Sequence, residues 1–214
     1  MANKKIPEST ISRLFVYLRE VTVLEKVNIK TISSSELGDR INLSDAQVRK
    51  DLGYFGQFGV SGSGYSVKEL KQALEKILGK DKTWNVAIAG VGHLGLALLA
   101  YTGFSKHGLD VVAAFDTDMR KIGKTFENIT IKSTDDIPKI IQGKDIALSI
   151  ITTPAREAQE VADALVSSGV KCILNFAPVS LSVPDDVKVK DVDLSRVLET
   201  LSYFAANKNG NGSK

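Results

Sequence analysis

Apolar residues recur with a helical period at the start of the chain. Ile11, Leu14, Phe15, Leu18 and Val21 fall at i, i+3, i+4, i+7 and i+10, which predicts an amphipathic helix from Pro7 to about Val21. Pro7 suits its first turn, where a missing N–H costs nothing, and Ser9 or Thr10 offers a cap. A short helix is expected from Ser34 to Arg40, followed by a turn through Ile41-Asn42-Leu43. Ser44, with Gln47 three residues on, reads as a capping box opening a helix that runs to Leu52. Helix, short turn and capped helix outline a helix-turn-helix. Gly53 to Tyr65 is rich in glycine and aromatic residues, and Ser61-Gly62-Ser63-Gly64 is turn chemistry that predicts a β-hairpin wing. Val67 to Leu78 reads as a further helix, with Leu70, Leu74, Ile77 and Leu78 on one side, and Gly79-Lys80-Asp81-Lys82 marks a boundary.

From Trp84 onward the pattern changes to alternating strands and helices. Strands are expected at Asn85–Ala89, Asp110–Phe115, Asp145–Ile151 and Lys171–Asn175, with a last extended piece near Val187–Val189. Helices are expected at Gly92–His107, Asp135–Gln142 and Ala155–Ser168. Such alternation predicts an α/β fold with a doubly wound parallel sheet. A closing amphipathic helix spans about Leu194 to Ala206, and the polar, Gly-rich tail Asn207–Lys214 is expected to be disordered. The predicted organisation is therefore a winged helix-turn-helix over 1–80, a Rossmann domain over 81–193, a separate helix over 194–206 and a tail over 207–214.

Composition narrows this picture. The chain of 214 residues is 43% hydrophobic and 25% charged, ordinary for a globular protein, and no apolar run approaches the roughly 20 residues that span a bilayer. The start, Met1-Ala2-Asn3-Lys4-Lys5, has no apolar stretch behind it, which argues against a secretory signal. Cys172 is the sole cysteine, which excludes an internal disulfide and a cysteine-based zinc site and favours a cytoplasmic location. No metal is expected. The net charge of +3 is uneven: residues 1–80 carry +4 and the remainder −1. A basic front half is consistent with a nucleic-acid partner, and equally with an ordinary solvated surface.

The strongest chemical signal is Gly90-Val91-Gly92-His93-Leu94-Gly95, set between a predicted strand and a predicted helix that buries Leu94, Leu96, Ala97, Leu98 and Leu99. Glycines at this spacing allow a tight turn and close backbone approach to a pyrophosphate. The second strand ends at Asp116, 21 positions after Gly95, where an acid accepts hydrogen bonds from the adenosine ribose. A 2′-phosphate would be repelled there, so NAD(H) is expected over NADP(H); Arg120 is the nearby cation that would weaken this preference. The alternative for Asp116 is a helix cap at a strand end. Thr152-Thr153-Pro154 and Asn175-Phe176-Ala177 follow two further strands and are expected to line the nicotinamide side, unless they are plain strand-to-loop turns.

The general acid or base that hydride transfer usually needs is hard to find. The two histidines are His93, inside the glycine loop, and His107. A bound cofactor without chemistry is the profile of a sensor. In the front domain, Arg49 and Lys50 lie on the capped helix, where a helix-turn-helix presents side chains to the major groove. Ser44, Gln47 and the wing residue Ser61 are further candidates for phosphate or base contacts. The alternative is that Arg49 and Lys50 merely solvate a helix face.

The strings Ile6–Leu14, Ala46–Gly56, Gly90–Gly95, Phe115-Asp116-Thr117-Asp118, Thr152-Thr153-Pro154-Ala155, Asn175-Phe176-Ala177-Pro178 and Val192-Asp193-Leu194-Ser195 resemble, in order, the Rex family of redox-sensing transcriptional repressors. The resemblance implies a homodimer with a winged-helix domain, a Rossmann domain and a last helix exchanged between subunits. It implies binding to palindromic, double-stranded operator DNA and release when NADH replaces NAD+. By residue it implies operator contacts from Arg49 and Lys50, ribose binding by Asp116 and a pyrophosphate lined by Gly92, His93 and Leu94. Arg13, Tyr101 and Asp193 would form an inter-subunit network, with Arg13 also near DNA and Tyr101 near the cofactor. Leu194 stands where some members carry Phe, and Val60 and Ser61 stand where many carry basic wing residues. The competing function is a small NAD-dependent oxidoreductase or a CoA-binding enzyme module.

Overall fold

The computed structural model describes residues 6–59 and 64–207, and the chain divides into two compact units, Met1–Lys82 and Thr83–Lys214. The first unit contains α1 (Glu8–Lys26), β1 (Thr31–Ile32), α2 (Ser34–Arg40), α3 (Asp45–Leu52), β2 (Tyr65–Ser66) and α4 (Val67–Ile77). The long first helix buries Leu14, Tyr17, Val21 and Leu24 against Leu37, Val48, Leu52, Leu70 and Leu74 from the other helices. Its cap differs from the sequence expectation. Pro7 occupies the N-cap without a side-chain bond, and Thr10 is drawn inward to Asp51.

The helix-turn-helix is built by backbone geometry. Asn42 adopts φ 57°, and the Leu43 N–H donates to the Gly38 carbonyl at 2.9 Å. A Cβ on Gly38 would collide with the Leu43 carbonyl, so the α2–α3 turn closes this tightly only around glycine. Ser44 does cap α3, accepting from the Gln47 N–H at 3.2 Å, but the reciprocal half of the predicted capping box is missing. Gln47 turns to Asp51 instead. The full capping box is one helix earlier, between Ser33 and Glu36.

The wing also differs from expectation. Among the described residues, β2 pairs antiparallel with β1, which precedes the helix-turn-helix, so the strand partner lies far back in sequence. Of the predicted turn, residues 61–63, Ser61 included, lie outside the described residues, and Gly64 has φ 73°.

The second unit contains β3 (Trp84–Ala89), α5 (His93–Leu99), β4 (Leu109–Asp116), β5 (Thr125–Phe126), β6 (Ile129–Ser133), α6 (Ile137–Gly143), β7 (Leu148–Ile151), α7 (Ala155–Ser167), β8 (Cys172–Asn175), β9 (Lys188–Asp191) and α8 (Leu194–Ala206). The sheet order is β5-β6-β4-β3-β7-β8-β9. Its six parallel strands follow the Rossmann order, reversing direction of progression between β3 and β7, and β5 adds an antiparallel edge. Alternation along β3 divides the core. Ala87 and Ala89 face the side covered by α6 and α7, while Val86 and Ile88 face the side covered by α5.

Two strands escaped the sequence reading. β5 and β6 form a hairpin whose turn residues, Glu127 and Asn128, both have positive φ (45° and 64°) without any glycine to announce them. The helix expected to reach His107 ends at Leu99, with a separate 3₁₀ turn over Ser105–His107 closed by Gly108 at φ 71°. Gly95 and Leu99 are its buried residues; Leu96 and Leu98 are half-buried, and Leu94 and Ala97 are exposed. The closing helix α8 has the predicted bounds but buries none of its apolar face. The tail from residue 208, expected to be disordered, lies outside the described residues.

Candidate functional site

In the first unit the candidate DNA-reading residues divide into free and committed groups. Lys50 is exposed, and Arg49 is exposed while bonded to Asp45 at 2.7 Å and to Ser34 at 3.0 Å. An exposed i,i+4 ion pair is weak because water screens it, so Arg49 is readily released to a stronger acceptor. Gln47 and Arg13, both half-buried, turn inward in this structure.

Their common partner is Asp51, fully buried at 0% exposure. Its Oδ1 accepts from Thr10 at 3.1 Å, Arg13 at 2.7 Å and Gln47 at 2.8 Å, and its Oδ2 accepts from Arg13 at 2.6 Å and Tyr17 at 2.7 Å. Burial pushes the Asp51 carboxyl up, but the bonds from Arg13, Tyr17 and Gln47 outweigh it and the net direction is downward. Burial and the same carboxylate push the Tyr17 phenol up. Asp51 therefore ties α1 to α3, the helix that carries Arg49 and Lys50. Its pattern was visible: with Val48 and Leu52 it falls on the apolar face of α3, and an acid at a core position needs a partner.

In the second unit the fingerprint glycines have separate tasks. Gly90 follows β3 at φ 93°, and a Cβ there would meet the Thr152 carbonyl carbon and the Thr153 nitrogen, each at 2.8 Å. Gly95 stands hard against the Gly90 carbonyl, which lets α5 pack on the loop. Gly92 is the N-cap of α5, and a Cβ there would have no atom within 4 Å. The protein itself does not need that space. Thr152 fixes the loop by donating to the Gly90 carbonyl at 2.6 Å.

These residues open on a cavity of about 470 Å³ that brings together Gly90, Gly92, Asp116, Thr152, Thr153 and Pro154, with Asp118, Lys121 and Glu157. Asp116 accepts from the Val91 N–H at 2.7 Å, the Asp118 N–H at 2.8 Å and Lys121 Nζ at 2.8 Å. Burial pushes its carboxyl up, and the bonds from Lys121, Asp118 and Val91 reverse this, so it stays ionised with a lowered pKa. Thr153 is 8% exposed and its hydroxyl has no hydrogen-bond partner among the described residues. An orphaned buried hydroxyl, open space over Gly92 and an ionised acid at the end of β4 all suit a dinucleotide lying across the switch point.

A second cavity of about 440 Å³ is lined by Leu94, Phe176, Ala177, Pro178, Asp193 and Leu194, among others. Asn175 does not line it. It is fully buried; its amide donates to the Val179 carbonyl and to Asp191, both at 2.8 Å, and its oxygen accepts from the Ala177 N–H at 3.0 Å. Both of its amide protons are consumed in holding the loop after β8 against β9, so this residue positions Phe176 and Ala177. His93 is the exposed first residue of α5. Tyr101 is 59% exposed and packs edge-on against Phe104 at 5.0 Å, lining neither cavity. Asp193 caps α8 by accepting from the Arg196 N–H at 3.0 Å. Lys121 is not among the sequence candidates, although a lysine five residues after Asp116 is within reach of a turn.

Comparison with known proteins covers both units. A model described as a putative DNA-binding protein N-terminus matches residues 5–53, and one described as a CoA binding domain matches residues 81–179. The redox-sensing transcriptional repressor Rex of Pelotomaculum thermopropionicum is 46% identical over 95% of this chain and 96% of its own length. The protein of the same name from Carboxydothermus hydrogenoformans is 47% identical over 95% of this chain and 98% of its own. Among solved structures, RSP in complex with β-NAD+ and operator DNA matches with a TM-score of 0.86 and 39% identity, covering 96% of this chain and 94% of that one. RSP in complex with β-NADH matches with a TM-score of 0.77 and 38% identity, covering 95% of each chain.

Proposed function

The chain belongs to the Rex family of redox-sensing transcriptional repressors, and from that premise we propose that it represses transcription in response to the NADH/NAD+ ratio. It acts as a homodimer on palindromic, double-stranded operator DNA and is released when NADH replaces NAD+. The observation that carries this reading is the union in one chain of an exposed Arg49–Lys50 pair on a capped helix with a glycine-cradled cavity at a Rossmann switch point. Its relatives named as repressors, and RSP in complex with β-NAD+ and operator DNA or with β-NADH, support it.

Residue roles follow from the chemistry. Arg49 contacts guanine edges or phosphate, and Lys50 and Ser44 contact operator beside it. Gly90, Gly92, His93, Leu94 and Gly95 line the pyrophosphate; Asp116 holds the adenosine ribose; Thr152, Thr153 and Pro154, with Phe176 and Ala177, lie toward the nicotinamide. A dinucleotide stretched along this path bridges the cavity over Gly92 and the one beside Phe176.

The exposed face of α8 supports the exchange of this helix between subunits. Leu194, Val197, Leu198, Leu201 and Phe204 are 57–65% exposed in the single chain. Apolar side chains gain roughly 1.5–3 kcal/mol each on full burial, so a face of five is strongly driven to be covered. In the dimer Arg13, Tyr101 and Asp193 form the network that couples cofactor state to DNA binding. The DNA-reading domain is 1–80, the cofactor domain 81–193 and the exchanged helix 194–206. The protein performs no catalysis and works in the cytoplasm, where operator and nucleotide pool meet.

A ligand shifts a two-state dimer only by its differential affinity for the two states, typically about 1–3 kcal/mol of coupling. The direct test is a mobility-shift assay on palindromic DNA titrated separately with NAD+ and NADH. Release by NADH alone is expected; a retarded band indifferent to NADH overturns the proposal. The match to a CoA binding domain favours a second reading, an enzyme module, which sustained NADH oxidation with a small carbonyl substrate would support.

A further inference from the structure

Two cations follow the acid at the end of β4, and they are not equivalent. The Lys121 and Ile122 N–H groups both donate to the Asp118 carbonyl, at 2.8 and 3.1 Å, and this turn carries the Lys121 side chain back over Asp116. Arg120 points the other way. Its guanidinium is 89% exposed, is bonded to Asp118 at 2.9–3.2 Å and does not line the cavity. Lys121 does line it, with its Nζ 2.8 Å from Asp116 Oδ2 and its side chain 36% exposed. Asp116 Oδ2 thus already accepts two hydrogen bonds, from Val91 and Lys121, and Oδ1 accepts one from Asp118.

A ribose diol bound to Asp116 donates to the same carboxylate. The carboxylate already holds three partners, so a diol that donates to it competes with them for the same oxygens. The backbone N–H groups of Val91 and Asp118 are fixed by the fold. The lysine is the one partner on a flexible stem, so it is the one displaced or made to share.

We infer that Lys121 is a specificity-determining residue of this cavity: in the free protein it occupies the ribose site on Asp116, and with ligand bound it faces the 2′ position. The inference rests on the NAD(H)-binding reading proposed above. Lys121 then acts in two opposed ways. It competes with the ribose for Asp116, which lowers affinity for NADH. It also places a positive charge beside the 2′ oxygen, which offsets the repulsion that Asp116 exerts on a 2′-phosphate. The preference for the unphosphorylated dinucleotide is therefore narrower than Asp116 alone would give, and Lys121, not Arg120, narrows it.

The experiment is a fluorescence or calorimetric titration of the full-length protein with NADH and NADPH, comparing wild type, Lys121→Gln, Lys121→Arg and Arg120→Gln. One ammonium about 6 Å from a phosphate dianion in a water-like dielectric is worth about fivefold to tenfold in Kd. Lys121→Gln is expected to bind NADH as well as or better than wild type and NADPH about fivefold to tenfold more weakly. Lys121→Arg and Arg120→Gln are expected to keep the wild-type ratio within about twofold, and the former also controls for folding. An unchanged NADPH/NADH ratio in Lys121→Gln, or an equal shift in Arg120→Gln, overturns the inference while leaving NAD(H) binding intact. Wild-type protein that binds neither nucleotide overturns the underlying reading, and the inference with it.

Discussion

Asp51→Asn replaces the buried acid under the recognition helix with a side chain of the same size, so no cavity complicates the outcome. The substitution removes the negative charge and turns one acceptor oxygen into an N–H₂ donor. Oδ2 now accepts from Arg13 and Tyr17, and Oδ1 from Thr10, Arg13 and Gln47. One of these sets must be lost, and Arg13 is left with no carboxylate. Removing one partner of a buried ion pair costs about 3–5 kcal/mol. The Arg13 side chain is 26% exposed, so water relieves part of its charge and about 3 kcal/mol is the appropriate end of that range. A domain the size of the first unit has about 4–12 kcal/mol in total, so this is a large share.

The readout separates the two units. The sole tryptophan, Trp84, begins β3 and reports the second unit by fluorescence, whereas far-UV circular dichroism reports both. In urea the variant is expected to show an early loss of ellipticity and an unshifted Trp84 transition. Acid gives a second check. Asp51 has a depressed folded pKa, so its contribution is fully present above the unfolded value of about 3.9 and is lost as pH falls through the lower folded value. Wild type should lose this stabilisation in that window and the variant should have none to lose. A destabilisation under about 1 kcal/mol would refute the claim that Asp51 ties α1 to α3.

The glycines of the fingerprint separate folding from binding. Gly90→Ala meets both a φ of 93° and backbone atoms at 2.8 Å, so it is expected to destabilise the second unit by about 1–3 kcal/mol, seen as a lower urea midpoint for Trp84 fluorescence. Gly92→Ala meets nothing within 4 Å, so it should leave that midpoint in place and weaken NADH at least tenfold by filling the space over the loop; unchanged NADH affinity would remove the pyrophosphate from that place. Arg49→Ala is expected to cost about 1–3 kcal/mol in operator affinity by mobility shift if the contact is bidentate, and loss of an exposed Asp45 pair alone would leave affinity unchanged.

Much of this molecule was legible residue by residue. The helical period of α1, the glycine triplet, the acid after the second strand and the apolar face of α8 are local patterns, and each follows from the fixed repeat of helix or strand. Two features were not legible, one for a local reason and one for a long-range reason. Glu127 and Asn128 hold a glycine-free hairpin turn; Asn128 suits positive φ, but Glu127 does not announce it and no glycine follows. The strand partner of Tyr65–Ser66 lies at Thr31–Ile32, across two helices, and no turn signal reports a pairing at that distance.

The sequence by itself determined the two-unit plan and the class of ligand proposed for each unit, because periodicity and glycine spacing act over a few residues. Tertiary structure decided which polar side chains remain available. Gln47, Arg13 and Asn175 read as candidate contact residues in the chain; the fold turns the half-buried Gln47 and Arg13 to Asp51, and buries Asn175 with protein partners, since an unpaired polar group inside the fold is costly. Lys121 went the other way, from an unremarked lysine to a neighbour of Asp116, because a turn of five residues folds back across the strand end.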